Sequence, residues 1–380
     1  MINQDILRSL KQFEKHRAVK YLKLSMMHKV SFSVIFFLLL PTVIISFFRD
    51  KMRNEKIFIL EYTNAEPYGT IYTRLKKDTN CTFLLLPRYY VPRLPWIFVK
   101  DMGHILLHKP MFMFENIYFL GALALRVAKY NALIEKEGIV NLLVMQEYSF
   151  YMSYITRLIE HKNGNLYNLQ HGMPGETYCF FRFTKCFVWG DFYKEEYIRN
   201  GAEPSQFVVV GSVFHDSIKV KNNDETIDIL YVMQGNVRGK KDTVDILTLL
   251  ENLSSTYRVR ILQHPRHRIS VSQKLVEFDG EIIDAIVSSK LVLSRYSTAL
   301  LDAQYLGKCS LAYIGEDVKL KRYLTYLDDN YIVQDISKLG EQIISVQSER
   351  DICVLQEKYI SQSKSPVEAI LAEVNTIRKI

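Results

Sequence analysis

From residue 57 onward, short apolar runs rich in β-branched and aromatic residues alternate with segments whose apolar positions recur at helical spacing. Six runs come first: IFILEY (57–62), TFLLL (82–86), IVNLLVM (139–145), LYNL (166–169), KCFVWG (185–190) and QFVVVG (206–211). Helix-period segments fall between them at 116–136, 149–160 and 192–200. Unbroken apolar strands alternating with helices predict βαβ units, and so a parallel sheet covered on both faces. The polar stretch HDSIKVKNNDET (215–226) interrupts the rhythm and reads as a linker. The pattern restarts with IDILYVMQG (227–235), a helix over 241–254, YRVRILQHP (257–265), KLVLSR (290–295), CSLAYI (309–314) and NYIVQ (330–334). One helix is expected to begin near Ser297 and a last one at Pro366, with Ser365 as its N-cap. The expectation is an α/β chain of two Rossmann-like, doubly wound domains, 57–215 and 227–364, closed by a helix at 365–380.

Composition agrees with this. The 380 residues suffice for two such domains, and 48% hydrophobic against 24% charged residues is globular. The net charge of +8 is unevenly placed: residues 1–56 hold eleven Lys and Arg against four Asp and Glu, leaving the body nearly neutral. That excludes nucleic acid as the expected partner, which would need a basic face on the folded body. Inside the basic segment lies VSFSVIFFLLLPTVIISFF (30–48), nineteen residues without a charge. As a helix it would be roughly 28 Å long, near the thickness of a bilayer core. A spanning or re-entrant anchor, an interfacial helix on anionic lipid and a buried core helix are the three readings, with membrane attachment favoured. Residues 1–56 are therefore expected to be a basic, membrane-associating leader. The five cysteines include no Cys-x-x-Cys pair, which points to a reducing setting. The expected location is the cytoplasmic face of the inner membrane, peripheral or single-span.

Ligands of doubly wound domains bind beyond the carboxyl ends of strands. In the first domain, one run leads into Glu147, and LYNL leads into Gln170, His171 and Gly172, then through a Pro–Gly turn to Glu176. A neutral imidazole with a pKa of about 6.5 suits general-base work, so His171 is the candidate base. Glu147 is its rival or its orienting partner. Gln170, Gly172 and Glu176 would face the acceptor. The plainer alternative is a tight turn with a structural histidine.

The second domain offers three strand ends. QGNVRGKK contributes Gln234, Gly235 and Arg238, and HPRHR contributes His264, Pro265 and Arg266. SRYSTALLD contributes Ser297 and Thr298 at a helix start, with Asp302 about one turn further on. Hydroxyls and free N–H groups at a helix N-terminus suit an anion, and Arg side chains pair with phosphate. Asp302 could accept ribose hydroxyls. An ordinary Ser/Thr N-cap and a solvated basic turn are the plainer alternatives. No cluster has metal-ligand spacing, so neither a metal nor another cofactor is expected.

His264-Pro265 followed by Ser297-Thr298 resembles the His-Pro and Ser-Ser/Ser-Thr motifs of bacterial GT-B sialyltransferases and Kdo transferases. The His171-Gly172 turn and the following FVWGDFYKEEYIRNGAEPSQFVVVGS resemble capsule-polysaccharide and CDP-glycerol glycerophosphotransferase proteins. The resemblance spans about 139–314, and the acidic motif that supplies the sialyltransferase base is absent. It implies a GT-B fold, two domains facing a cleft, and metal-independent transfer of a sugar from a nucleotide donor to a glycan or lipid-linked acceptor. CMP-sugar is the favoured donor, with UDP-sugar next. Rival expectations are a glycerophosphotransferase, a nonhydrolysing sugar-nucleotide epimerase and a non-catalytic membrane-tethered binding protein.

Overall fold

The computed structural model describes residues 3–20, 34, 38–39, 42, 54–61, 81–85, 92–145, 149–170, 172–173, 182–216, 218, 225–234, 240–264, 268–349, 355–361 and 365–377. The chain divides into two compact units, residues 1–212 with 363–380 and residues 213–362.

Unit 1 begins with helix α1 (Gln4–Lys20), then strands β1 (Asn54–Glu61) and β2 (Cys81–Leu85). Three helices follow, α2 (Trp96–His108), α3 (Pro110–Glu115) and α4 (Ile117–Glu137). Next come β3 (Ile139–Val144), α5 (Met152–His161), β4 (Asn165–Leu169), β5 (Lys185–Val188), α6 (Asp191–Arg199) and β6 (Phe207–Val209). The strands form one all-parallel sheet in the order β2-β1-β3-β4-β5-β6. Every residue of β3 is buried, as an unbroken IVNLLV run requires when both sheet faces are covered. Among the described residues α4 alone is long and apolar enough to cross a membrane, but 72% of its apolar window is buried inside the molecule. It is a core helix.

Unit 2 runs α7 (Val213–Asp216), β7 (Ile227–Val232), α8 (Lys240–Leu253), β8 (Val259–Leu262), β9 (Val276–Glu277), α9 (Ile282–Val287) and β10 (Ser289–Ser294). It continues through α10 (Thr298–Tyr305), β11 (Cys309–Tyr313), β12 (Ile332–Val333) and α11 (Ile336–Glu349). Its sheet is also all parallel, in the order β12-β11-β10-β7-β8-β9. The chain winds outward from β7 to β9, then returns to β10 beside β7 and winds the other way. The β7/β10 seam is therefore the topological switch point, the place where open α/β sheets hold ligands. Ile229, Tyr231, Ile261, Leu291, Leu293 and Leu311 pack beneath it against Ile246, Leu250 and Ile343 of the helices.

Three boundaries differ from expectation. The linker expected at 215–226 begins inside unit 2, because His215 of α7 is buried against Asp302 of α10. The closing helix, α12 (Pro366–Ile377), belongs with unit 1, where Glu373 lies 3.7 Å from Lys185. The start of the expected leader is part of the unit 1 core. Ile6 and Ser9 of α1 are fully buried, and Asp5 pairs with Arg182 at 2.9 Å. Most of 30–48 lies outside the described residues. Within it, Leu39 is buried, and the Thr42 hydroxyl accepts from the Leu94 N–H at 3.1 Å.

Candidate functional site

The carboxyl edge of the unit 2 sheet brings the ends of β10, β7 and β8 side by side. The Ser294 hydroxyl donates to Val232 O at 2.7 Å, which stitches β10 to β7 where their ladder ends. Gln234 follows β7. Its Oε1 is shielded from solvent and has no hydrogen-bond partner among the described residues. A buried acceptor left in that state costs about 1–3 kcal/mol, so a donor offered there would be favoured.

Beyond β8, Gln263 closes the basic turn on itself. Its Nε2 donates to Ile269 O at 3.0 Å and to Glu277 Oε1 at 2.6 Å, while its Oε1 accepts from the Ile269 N–H at 2.8 Å. His264 opens this turn, half-buried, and Arg268 on its far side is exposed. Pro265 and Arg266 lie outside the described residues, as do Gly235 and Arg238, which follow β7 in the sequence.

Ser297 is the N-cap of α10, and its Oγ accepts from the Ala299 N–H at 3.2 Å. The cap satisfies one orphan donor of the helix start and leaves the hydroxyl proton to be given away. Thr298 stands exposed beside it. Asp302, expected to accept ribose hydroxyls, is buried, with Oδ1 2.8 Å from His215 Nε2. His215 is 1% exposed, its ring between Phe214 and Tyr305 at centroid distances of 5.1 and 4.7 Å.

Two residues passed over in the sequence complete the edge. Arg295, buried one residue past β10, directs Nη2 to Asp242 Oδ2 at 2.6 Å. Asp242 lies in the first turn of α8, and the backbone of Gly315 beyond β11 comes so close that an added Cβ would lie 2.9 Å from Asp242 Oδ1. One carboxylate thus joins the segments following β7 and β10, with the backbone after β11 packed close beside it. Below it, burial pushes the Tyr231 phenol up to about 12, so it stays protonated. An arginine inside an otherwise apolar strand end was the available signal; its acidic partner 53 positions away was not readable.

In unit 1, β3 and β4 pair in register with Val144 opposite Asn168, so the chain leaves the sheet at adjacent points. Glu147, His171 and Glu176 follow these strands but lie outside the described residues. Gln170 is buried and hydrogen-bonded through its side-chain amide and its backbone. Its Nε2 donates to Gly172 O at 3.0 Å, its Oε1 accepts from the Trp189 N–H at 3.0 Å, and its backbone O accepts from Trp189 Nε1 at 3.1 Å. That amide splints the end of β4 to the end of β5. No group of three or more His, Cys, Asp or Glu that could hold a metal occurs among the described residues.

No family model matches the chain, and no curated protein matches it. Solved structures do. The UDP-GlcNAc 2-epimerase of Methanocaldococcus jannaschii, in complex with UDP-GlcNAc and UDP, superposes with a TM-score of 0.55 at 13% identity, over 85% of this chain and 99% of that one. The Staphylococcus aureus MnaA–UDP structure gives 0.56 at 10% identity, over 86% and 97%. The Neisseria meningitidis UDP-GlcNAc 2-epimerase bound to UDP-GlcNAc gives 0.55 at 10% identity, over 85% and 100%. At such identities the likeness is one of fold. The chain is a mixed α/β protein with parallel sheets, built as these GT-B-type enzymes are.

Proposed function

We propose that this chain is an enzyme of nucleotide-sugar chemistry that holds a uridine-diphosphate sugar at the carboxyl edge of the unit 2 sheet. The observation that carries the proposal is the β7/β10 switch point. The Ser297 hydroxyl, the start of α10, the Arg295–Asp242 pair and the unpaired Gln234 oxygen gather there on adjacent strands. Helix-end N–H groups and hydroxyls meet a diphosphate, Arg238 and Arg266 would add charge from the two basic loops, and the buried Gln234 acceptor would meet a donor on the base or ribose. Asp302, held by His215, braces α10 in this arrangement. UDP replaces CMP as the favoured nucleotide because the structural neighbours carry UDP or UDP-GlcNAc.

Nonhydrolysing sugar-nucleotide epimerisation is the reaction these neighbours favour. It inverts one carbon of the sugar, so a group must remove a proton and another must return one. His171 and Glu147, which follow adjacent strands of unit 1 in the sequence, are proposed for those tasks. Glycosyl transfer is the second reading, favoured by the uncharged stretch at 30–48, which suits a lipid-linked acceptor. There the base would take the proton of the acceptor hydroxyl while the nucleotide leaves. Incubation with UDP-GlcNAc alone, followed by proton NMR, separates the two. A C2 epimer appearing without acceptor establishes the first reading. Turnover only when a glycan or lipid-linked acceptor is added establishes the second. Absence of UDP binding by calorimetry overturns both, and a preference for CDP returns the question to glycerophosphate transfer.

A further inference from the structure

We propose that helices α2 and α3 form a docking surface for an anionic lipid bilayer, separate from the nucleotide site of unit 2. Helix α2 is apolar on two sides. Phe98, Met102 and Ile105 bury one side in unit 1. The other turns Trp96 (55% exposed) and Leu107 (79% exposed) to solvent, and α3 continues it with Met111 (67%) and Phe114 (64%). A surface of large, exposed apolar side chains grouped within twenty residues is not what solubility alone produces.

Two observations choose the occupant. The exposed rim carries more basic than acidic charge: Lys100 and Lys109 stand beside these side chains against one exposed acid, Glu115 at the end of α3, while Asp101 of α2 is turned inward to Arg157 and Tyr154. Basic side chains around an apolar patch containing Trp and Leu match an anionic headgroup layer over acyl chains. The second observation is continuity. The Leu94 N–H, two residues before Trp96, bonds to Thr42 at 3.1 Å, and Thr42 belongs to the uncharged stretch at 30–48. Leu38 of that stretch is itself 68% exposed. The α2–α3 surface therefore begins where the most lipid-like segment of the chain is anchored.

Trp96 reports on this directly, because the only other tryptophan, Trp189, is buried and hydrogen-bonded to Gln170. The full chain would be mixed with phosphatidylcholine vesicles with and without about a third phosphatidylglycerol. The expected result is co-sedimentation with the anionic vesicles and a blue shift of tryptophan emission, which Trp96→Phe abolishes. A Leu107→Asp/Phe114→Asp variant, altered only at exposed positions, should melt as the wild type and keep its UDP affinity. Its partition onto anionic vesicles should fall about tenfold or more. Binding by residues 1–56 alone would give co-sedimentation with unshifted Trp96 emission and no loss in the double variant, and would overturn the proposal. A concentration-dependent dimer that the double variant dissolves, with no vesicle binding, would assign the surface to a second copy and overturn it too. Should the double variant fail to fold, the Trp96 shift in the wild type decides.

Discussion

Replacing Asp302 by Ala should destabilise unit 2 by about 1–3 kcal/mol, the cost of leaving a buried donor unpaired. The donor is His215 Nε2, 2.8 Å from Asp302 Oδ1 in a ring that is 1% exposed, with Phe214 and Tyr305 leaving little room for water. In a unit of about 150 residues, that corresponds to a fall in Tm of roughly 3–10 °C. Asp302→Asn keeps an acceptor in place and should recover more than half of the loss. Differential scanning fluorimetry gives the ranking, and urea unfolding of Asp302→Ala, His215→Ala and the double variant gives the coupling. Partners in contact should show a coupling of about 1 kcal/mol or more. Strictly additive costs, or a loss below about 0.5 kcal/mol in Asp302→Ala, would refute the reasoning. The same variants separate two roles for Asp302 in ligand binding. If Asp302 acts by bracing α10, His215→Ala weakens UDP affinity as Asp302→Ala does; if it contacts ribose alone, His215→Ala leaves affinity unchanged.

Other outcomes are equally definite. Gly315→Ala places a side chain at φ 55° and its Cβ 2.9 Å from Asp242 Oδ1; it should cost about 1–2 kcal/mol and weaken UDP binding by disturbing the Arg295–Asp242 pair, measured by calorimetry. Gly164→Ala sets a Cβ 2.3 Å from the backbone oxygen of Val140; a loss of about 2–3 kcal/mol in urea unfolding is expected, since backbone cannot give way as a side chain can. Asp228 is held well below the usual carboxylate range by hydrogen bonds from Arg258, then Lys290. Its stabilising share is fully present above the unfolded value of about 3.9 and fades as pH falls towards the folded one, so the stability gap between wild type and Asp228→Asn should shrink below about pH 4.

The strands were legible because burial on both faces writes itself as unbroken apolar runs. All eleven runs named from the sequence became strands, IVNLLVM as β3 and KLVLSR as β10 among them. Strand β9 escaped because its two residues, Val276 and Glu277, are both exposed and carry no apolar signal. Helix α2 escaped for the opposite reason. Apolar side chains on both its sides erase the helical period. Ser297 was readable as a cap from local chemistry alone. The His215–Asp302 and Arg295–Asp242 pairs were not, because their partners stand 87 and 53 positions apart and meet only through the winding of the sheet.

The parallel sheet of unit 2 has a second edge with a different character. At its amino end, Asp228 of β7 accepts from Arg258 and Lys290, Glu225 accepts from Lys308, and Gln347 reaches back to Asp228 O. These contacts tie the starts of four adjacent strands at the end opposite the candidate site. Selection for a new substrate can therefore rewrite the loops at one end without loosening the chain at the other. A mutational library confined to the segments after β7, β8, β10 and β11 should yield mostly folded proteins with altered ligand preference. The same number of changes around Asp228 should yield mostly insoluble ones.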